Sequence, residues 1–392
     1  MMIIDWLPFV RKMRFGKACC SSLCLFVFLC LVSSSACQQK QTQEQNRKIK
    51  IVLPEGFYAT GLVYHRFGDS RYPSTNTPLD KLEEQLKYIT ENGFDTYTVS
   101  GLLENAHDST KKVFITIDDG LKSFYTHGWP LFKKYACKVT LFVNTESVGW
   151  SDYLNWHQIR ELAKSGVEIG SHSHKHSYFL NRKGADRLHL FVDDLLLSEK
   201  IFEDSLGFVP RIYAYPYGEF DEGMAQVLKQ RGYRLALAQN SGVWSYKSHR
   251  FAIPRFPIAG NYVKMKQFVQ KVNMRPLLLN ADNAFPIELA GNEKLEMHLS
   301  LDSLSQLAGF NCFFDNKLNP DVFTINNKDI KVFLYMTNNK RRILLTFTAN
   351  DKSGRWYWWS KLLVNASANE LKYFLNYCSQ LIGIDIIEGV RL

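Results

Sequence analysis

The chain has 392 residues, 46% of them hydrophobic and 22% charged, with a formal net charge of +10. Such a composition belongs to a folded chain with room for more than one domain, and it excludes a long disordered or collagen-like protein. The basic excess forms no concentrated run interleaved with aromatics, which argues against nucleic acid and leaves an anionic surface or polymer, or a plain solvated surface.

Arg11, Lys12, Arg14 and Lys17 precede the apolar run Leu23–Val32 and the small residues Ser33–Ala36. That run is too short for a bilayer span and reads as the core of a signal peptide over residues 1–37. Cys37 follows the small residues directly, as the lipidated cysteine of a bacterial lipoprotein does. Ser34 stands where such signals usually carry Leu or Val, and the alternative is cleavage after Ala36 without a lipid. The expectation is an exported protein of the bacterial cell envelope, in the periplasm or at the outer membrane, tethered to the membrane through Cys37 or else secreted. The polar segment 38–50 then serves as a linker. Without residues 1–37 the charge is +7, from 44 basic and 37 acidic residues. Cys137, Cys312 and Cys378 are the cysteines beyond this segment and cannot all pair, so no disulfide scaffold is expected. The chain has no CxxC, which disfavours a thiolate zinc site.

Ile51–Leu53 and Ala59–Tyr64 read as short strands, the second ending at His65. Thr77 and Pro78 read as the cap and first residue of a helix with Leu79, Leu82, Leu86 and Ile89 on one face, stopped by Gly93. Strand Thr96–Val99 follows, then strand Phe114–Ile117, then a helix over 121–135. Further strands are expected at Val139–Val143, Val167–Gly170, Ile212–Tyr215 and Tyr233–Ala238. Helices Trp156–Ser165, Leu188–Leu206 and Met224–Arg231 lie among them. This alternation over 51–275 predicts a parallel sheet with crossover helices, either a barrel or a doubly wound sheet. From Pro276 the texture becomes β-rich, with strands at 295–301, 310–314, 330–336, 343–349 and 356–363 and a helix at 368–382. The segment 276–392 therefore reads as a smaller, sandwich-like accessory domain. Its aromatic run Trp356–Trp359 reads first as a strand with one face in a core; the sharper alternative is a platform for sugar rings.

Three strand ends carry polar clusters: Asp118-Asp119-Gly120, His172 through His176, and Tyr215-Pro216-Tyr217-Gly218. In parallel sheets chemistry gathers at the carboxyl ends of strands. His172 and His176 are four apart, so one tight loop can aim both imidazoles at one ion, and Asp119 completes a two-histidine, one-carboxylate set. Asp118 is then free to take a proton from water. Such a donor set suits zinc first, and cobalt, nickel or iron also. Taken alone, the Asp pair also reads as a helix cap and the histidine run as a solvated loop.

Ile115–Gly120, His172-Ser173-His174-Lys175-His176, Leu154-Asn155-Trp156 and Tyr213–Gly218 together resemble, in order, the motifs of the NodB-like polysaccharide deacetylases, the fourth family of carbohydrate esterases. The resemblance covers about Gly61 to Ile258. It implies a distorted (β/α) barrel that removes acetyl groups from N-acetylated polysaccharide, with Asp118 as general base and Asp119, His172 and His176 on the metal. It gives the backbone N–H of Tyr217 to the oxyanion and places Trp156, Tyr215 and Pro216 along the substrate groove. Two features depart from many members: Ala214 stands where an arginine pairs with the base, and no late Leu-x-His appears before Ile258. Both departures, with Tyr64-His65 and Ile253-Pro254-Arg255, resemble the branch acting on poly-N-acetylglucosamine exopolysaccharide. That likeness makes His65 the candidate acid, with His174 as fallback. It also offers Arg255, grouped with the groove residues, as the replacement arginine.

The weighed alternatives are a His-x-His amidohydrolase barrel, a catalytically inactive glycan-binding barrel, and a peptidoglycan deacetylase or O-acetyl esterase using the same residues. Neither the glycan linkage nor the oligomeric state is readable from the sequence.

Overall fold

The computed structural model describes residues 52–281 and the segments 285–289, 294–301, 307–315, 317–318, 323–326, 328–335 and 340–366. The expected signal peptide, Cys37, the linker and the helix at 368–382 lie outside the described residues. Among the described residues no helix is long and apolar enough to cross a membrane.

The main sheet contains strands β1 (Tyr58–Tyr64), β2 (Phe94–Tyr97), β3 (Lys111–Ile117), β4 (Val139–Val143), β5 (Glu168–Ser171), β6 (Ile212–Ala214), β7 (Leu235–Leu237), β8 (Val243–Ser245) and β9 (Phe256–Pro257). Its order is β8-β1-β3-β4-β5-β6-β7, with β2 beside β3 and β9 beside β1. All pairs are parallel except β1 with β8. The segment after β8 joins the two ends of this sheet. Ile253 bonds to Ala236 and Ala238 beside β7, and Ile258 donates to Val63 of β1. That segment makes the sheet a distorted barrel, the expected (β/α) architecture.

Alternation along β3 shows why its sequence is mostly apolar after Lys112. Val113, Ile115 and Ile117 enter one core with the helices, whereas Phe114 enters a second core with Phe142, Ala214, Leu237 and Trp244. Both faces are covered, so no polar alternation survives.

Among the described residues the α-helices longer than four residues are α1 (Leu79–Glu91), α2 (Trp129–Lys134), α3 (Trp156–Lys164), α4 (Gly184–Leu206), α5 (Glu222–Gln230) and α6 (Met265–Val272). α1 buries Leu82, Leu86 and Ile89 as its periodicity predicts. Its start differs from expectation: Pro78 is extended, and Thr77 pairs with Phe67 while its hydroxyl donates to Ile258 O at 2.7 Å. The helix expected over 121–135 runs over 122–134, with its middle wound differently. Phe124–Gly128 is a π-turn, and α2 begins at Trp129, with Pro130 in its first turn. Leu53 forms no strand. In α3, Asn155 and Gln158 form a reciprocal capping box.

The β-rich part holds a six-stranded and a four-stranded sheet. Its long strands are β10 (Lys294–Leu301), β11 (Leu307–Phe314), β12 (Asp329–Tyr335), β13 (Arg342–Asp351) and β14 (Trp356–Val364). Both sheets contribute to one core, with Leu299, Ile330 and Val332 from one and Cys312, Leu345, Phe347 and Leu363 from the other. The other face of β14 turns to the barrel: Leu362 and Val364 pack with Tyr213 and Phe220. The tryptophan run makes no continuous platform. Trp358 packs on Phe256 and donates to Ser241 O, Trp359 lies against Phe347, and Trp356 is exposed. Cys137 and Cys312 are free thiols.

Candidate active site

The polar clusters meet at the carboxyl rim of the barrel. Asp118 ends β3, and its N–H donates to Tyr64 O at 2.9 Å, which sets it beside His65 at the end of β1. Asp119 and Gly120 follow with φ of 75° each, a left-handed pair. His172 leaves β5 into a loop with left-handed Ser173 and His176. Ser173 Oγ accepts from the His176 N–H at 2.9 Å. The Asp194 carboxylate of α4 accepts from the N–H groups of His174 and Lys175 at 2.7 and 2.8 Å.

Asp119, His172 and His176 converge. Asp119 Oδ1 lies 3.4 Å from His172 Nε2 and 3.5 Å from His176 Nε2, and the two Nε2 atoms are 3.1 Å apart. Donors bound at about 2.0–2.2 Å on tetrahedral zinc stand roughly 3.3 Å from one another, so this set has the spacing of a metal site. His172 Nδ1 donates to Ala214 O at 2.7 Å, which leaves the lone pair on Nε2. Burial pushes His176 down to about 4, so its ring is a neutral donor at physiological pH. Burial opposes the charge of Asp119, but the His172 hydrogen bond and the nearby His65 and His176 hold it well below the usual carboxyl range. His172 is raised: its burial is outweighed by the Asp119 bond and the Asp118 charge.

Asp118 stays outside this cluster, 4.0 Å from His172 Nε2. Arg255 grips it with Nη1 2.7 Å from Oδ1 and Nη2 3.0 Å from Oδ2, both side chains being fully buried. Arg255 Nη1 also donates to Thr116 Oγ1 and Nε to Ala238 O. Burial alone would raise the Asp118 carboxyl; the Arg255 charge, then His172, reverse this and hold it below its ordinary value.

The third cluster closes the rim. Tyr217 is left-handed at φ 57°, and its ring meets His176 edge-on at 4.4 Å. Gly218 at φ 69° cannot carry a side chain, because a Cβ there would lie 2.5 Å from Gln239 N. Gln239 Nε2 in turn lies 3.5 Å from Asp118 Oδ2.

Residues 105–236 match the polysaccharide deacetylase family model. The chain carries a polysaccharide deacetylase domain. The putative polysaccharide deacetylase YxkH of Bacillus subtilis is 27% identical to this chain over 202 residues, covering 50% of this chain and 70% of that protein. The poly-beta-1,6-N-acetyl-D-glucosamine N-deacetylase of Escherichia coli (strain K12) is 26% identical over 248 residues, covering 52% of this chain but 36% of that protein. The Streptococcus pyogenes deacetylase PplD, solved in complex with acetate, has a TM-score of 0.50 at 21% identity, covering 55% of this chain and 98% of that one. That likeness bears on the fold of the deacetylase domain alone.

The groove expectation needs correction. Tyr215 is fully buried and stacks on Phe220 at 4.2 Å, and Pro216 is buried too. Arg255 lies beneath the site, on Asp118, and lines no groove. Trp156 opens α3, is half-buried, and packs edge-on to Phe202 at 5.8 Å. His174 turns to Thr145 and Glu146, at 2.9 and 4.0 Å. Sequence reasoning missed Asp194 and Gln239, which stand in no recognisable pattern, and gave no role to Thr116, although it lies inside the Ile115–Gly120 run.

Proposed function

We propose that this chain is an exported, metal-dependent N-deacetylase that hydrolyses acetamido groups of N-acetylglucosamine-containing glycans, with a poly-N-acetylglucosamine exopolysaccharide as the favoured substrate class. The observation that carries it is the division of labour between two adjacent carboxylates. Asp119 joins two imidazoles in a metal-type cluster, while Asp118 is buried, ionised and held apart by Arg255. Residues 51–275 form the catalytic unit in this reading and 276–392 the accessory one, with residues 1–37 and Cys37 directing export and tethering.

Asp119, His172 and His176 would hold the ion, zinc for preference, which when bound supplies a positive charge that polarises the acetyl carbonyl and acidifies water. Asp118 takes the proton from the attacking water, and its pairing with Arg255 keeps it ionised for that task. The Tyr217 N–H, on a left-handed turn against His176, donates to the developing oxyanion. His65 stands near both carboxylates and gives a proton to the departing amine, so that water and amide leave as acetate and free amine. The Escherichia coli relative, named for this activity, supports the substrate class.

The test is acetate release from an N-acetylglucosamine oligomer, with the protein metal-stripped and then given zinc, cobalt or nickel. Metal-dependent acetate is expected. Glycan binding and bound metal without acetate would replace this reading with a binding barrel, or with peptidoglycan or an O-acetylated polymer as substrate.

A further inference from the structure

The β-rich part reaches the site through one buried side chain. Arg341, just before β13, donates from Nε to Glu219 Oε1 at 2.8 Å and from Nη2 to Glu219 Oε2 at 2.6 Å, with both side chains almost fully buried. Its guanidinium carbon also lies 4.4 Å from the centre of the Tyr178 ring. Tyr178 stacks on Tyr217 with centroids 3.6 Å apart and planes within 5°. Tyr217 then meets His176, one of the clustered donors, at 4.4 Å.

We infer that Arg341 is a positioning residue for the metal cluster, so that the C-terminal sheet is a working part of the active site and not a mere appendage. The inference rests on the deacetylase reading above. A buried carboxylate at Glu219 needs a bidentate partner, and this one comes from 122 residues further along the chain. Glu219 directly follows the Tyr217-Gly218 turn, in which both residues are left-handed. A non-glycine residue keeps such a conformation only when its surroundings over-determine it. Here the surroundings are the Glu219 anchor on one side and the Tyr178 stack on the other, and Arg341 contacts both. Losing Arg341 frees the turn, and with it the ring that presses on His176.

A second tie between the two parts supplies the control. Arg187 of α4 pairs with Glu288 and with Asp221, and it also donates to Leu180 O and Arg182 O. Arg187→Gln therefore weakens docking while keeping the Arg341–Glu219 pair and the Tyr178–Tyr217 stack.

The experiment uses the full chain and compares Arg341→Gln, Arg341→Lys, Tyr178→Leu and Arg187→Gln. It reads zinc affinity by competition with a chromogenic chelator, melting temperature, and kcat and KM for acetate release. Arg341→Gln and Tyr178→Leu should each weaken zinc binding and lower kcat by about 10- to 100-fold, the range seen for residues that orient metal ligands, with KM little changed. Arg341→Lys, which keeps the charge, should restore part of both. Arg187→Gln should lower the melting temperature and leave zinc affinity alone. Should Arg341→Gln fail to fold, Tyr178→Leu, which keeps the ion pair, decides. Unchanged zinc affinity in Tyr178→Leu, or an equal loss in Arg187→Gln, overturns the inference while leaving the deacetylase reading intact. A wild-type chain that neither binds zinc nor releases acetate overturns both.

Discussion

Arg255→Met removes the guanidinium that holds both oxygens of Asp118 while keeping a side chain of similar reach. The pair is fully buried, with contacts of 2.7 and 3.0 Å, so water cannot replace the lost partner. Leaving one member of such a pair alone costs about 3–5 kcal/mol. The sign with pH follows from Asp118. In the wild type its native carboxyl lies below the ordinary value, so the pair's stabilisation is present above that value and lost as pH falls through the native one. In Arg255→Met the upward push of burial is opposed by less charge, so the native carboxyl rises. Stability should then fall as pH climbs through the carboxyl range, and the acid side of the rate profile should move to higher pH. The assay is urea unfolding of metal-free protein at neutral and mildly acidic pH, beside acetate release across pH. The double variant Asp118→Asn with Arg255→Met carries no buried charge and should be more stable than Arg255→Met alone at neutral pH. Equal stability of the two, or a wild-type rate in Arg255→Met, would refute the reasoning.

Three further outcomes are expected. Asp118→Asn should abolish acetate release while zinc stays bound, whereas His172→Ala should lose both; near-normal turnover in Asp118→Asn would remove it as the base. His65→Ala should slow amide cleavage more than cleavage of an activated acetyl ester, whose leaving group needs no proton, and equal losses on both would end the acid role. Burial pushes the Lys271 ammonium down to about 7, although its Nζ donates to Pro257 O and lies under the Tyr262 ring. The unfolded chain then binds more protons above that pH. Wild-type stability measured against Lys271→Met should accordingly rise from neutral pH towards the ordinary lysine range, and a flat difference contradicts the shift.

The residues that converge on one ion are close in sequence to a strand end or to each other, which is why they were legible. Asp118 and Asp119 follow a run whose two faces are both apolar, and His172 and His176 share one tight loop. The partners that fix them were not legible. Asp194 is one of several acids on α4, and nothing local marks it as the acceptor for two loop N–H groups. Tyr215 was read with its neighbours as lining a groove, but only Tyr217 of that run is partly exposed, because the left-handed turn comes after Tyr215. Within the helix at 122–134, the stretch Phe124–Gly128 is wound as a π-turn. Gly128 sits against the Phe67 ring, where a Cβ would lie 2.9 Å away.

The absence of an arginine at Ala214 looked like a weakness of the site, and the barrel's closure accounts for it. Ala214 lies at the end of β6, where its carbonyl accepts from His172 Nδ1 and its side chain packs in the inner core with Phe142 and Trp244. A charged side chain there would have to displace that packing. The segment 253–258 crosses from β7 to β1 to close the sheet. Arg255 sits on that segment, and its guanidinium reaches Thr116 and Asp118. The base therefore receives its counter-charge from the strand that seals the barrel. Closure and ionisation of Asp118 are thus one structural event, so a lesion that opens the seam, such as Ile253→Asp, should lose turnover before the chain unfolds globally.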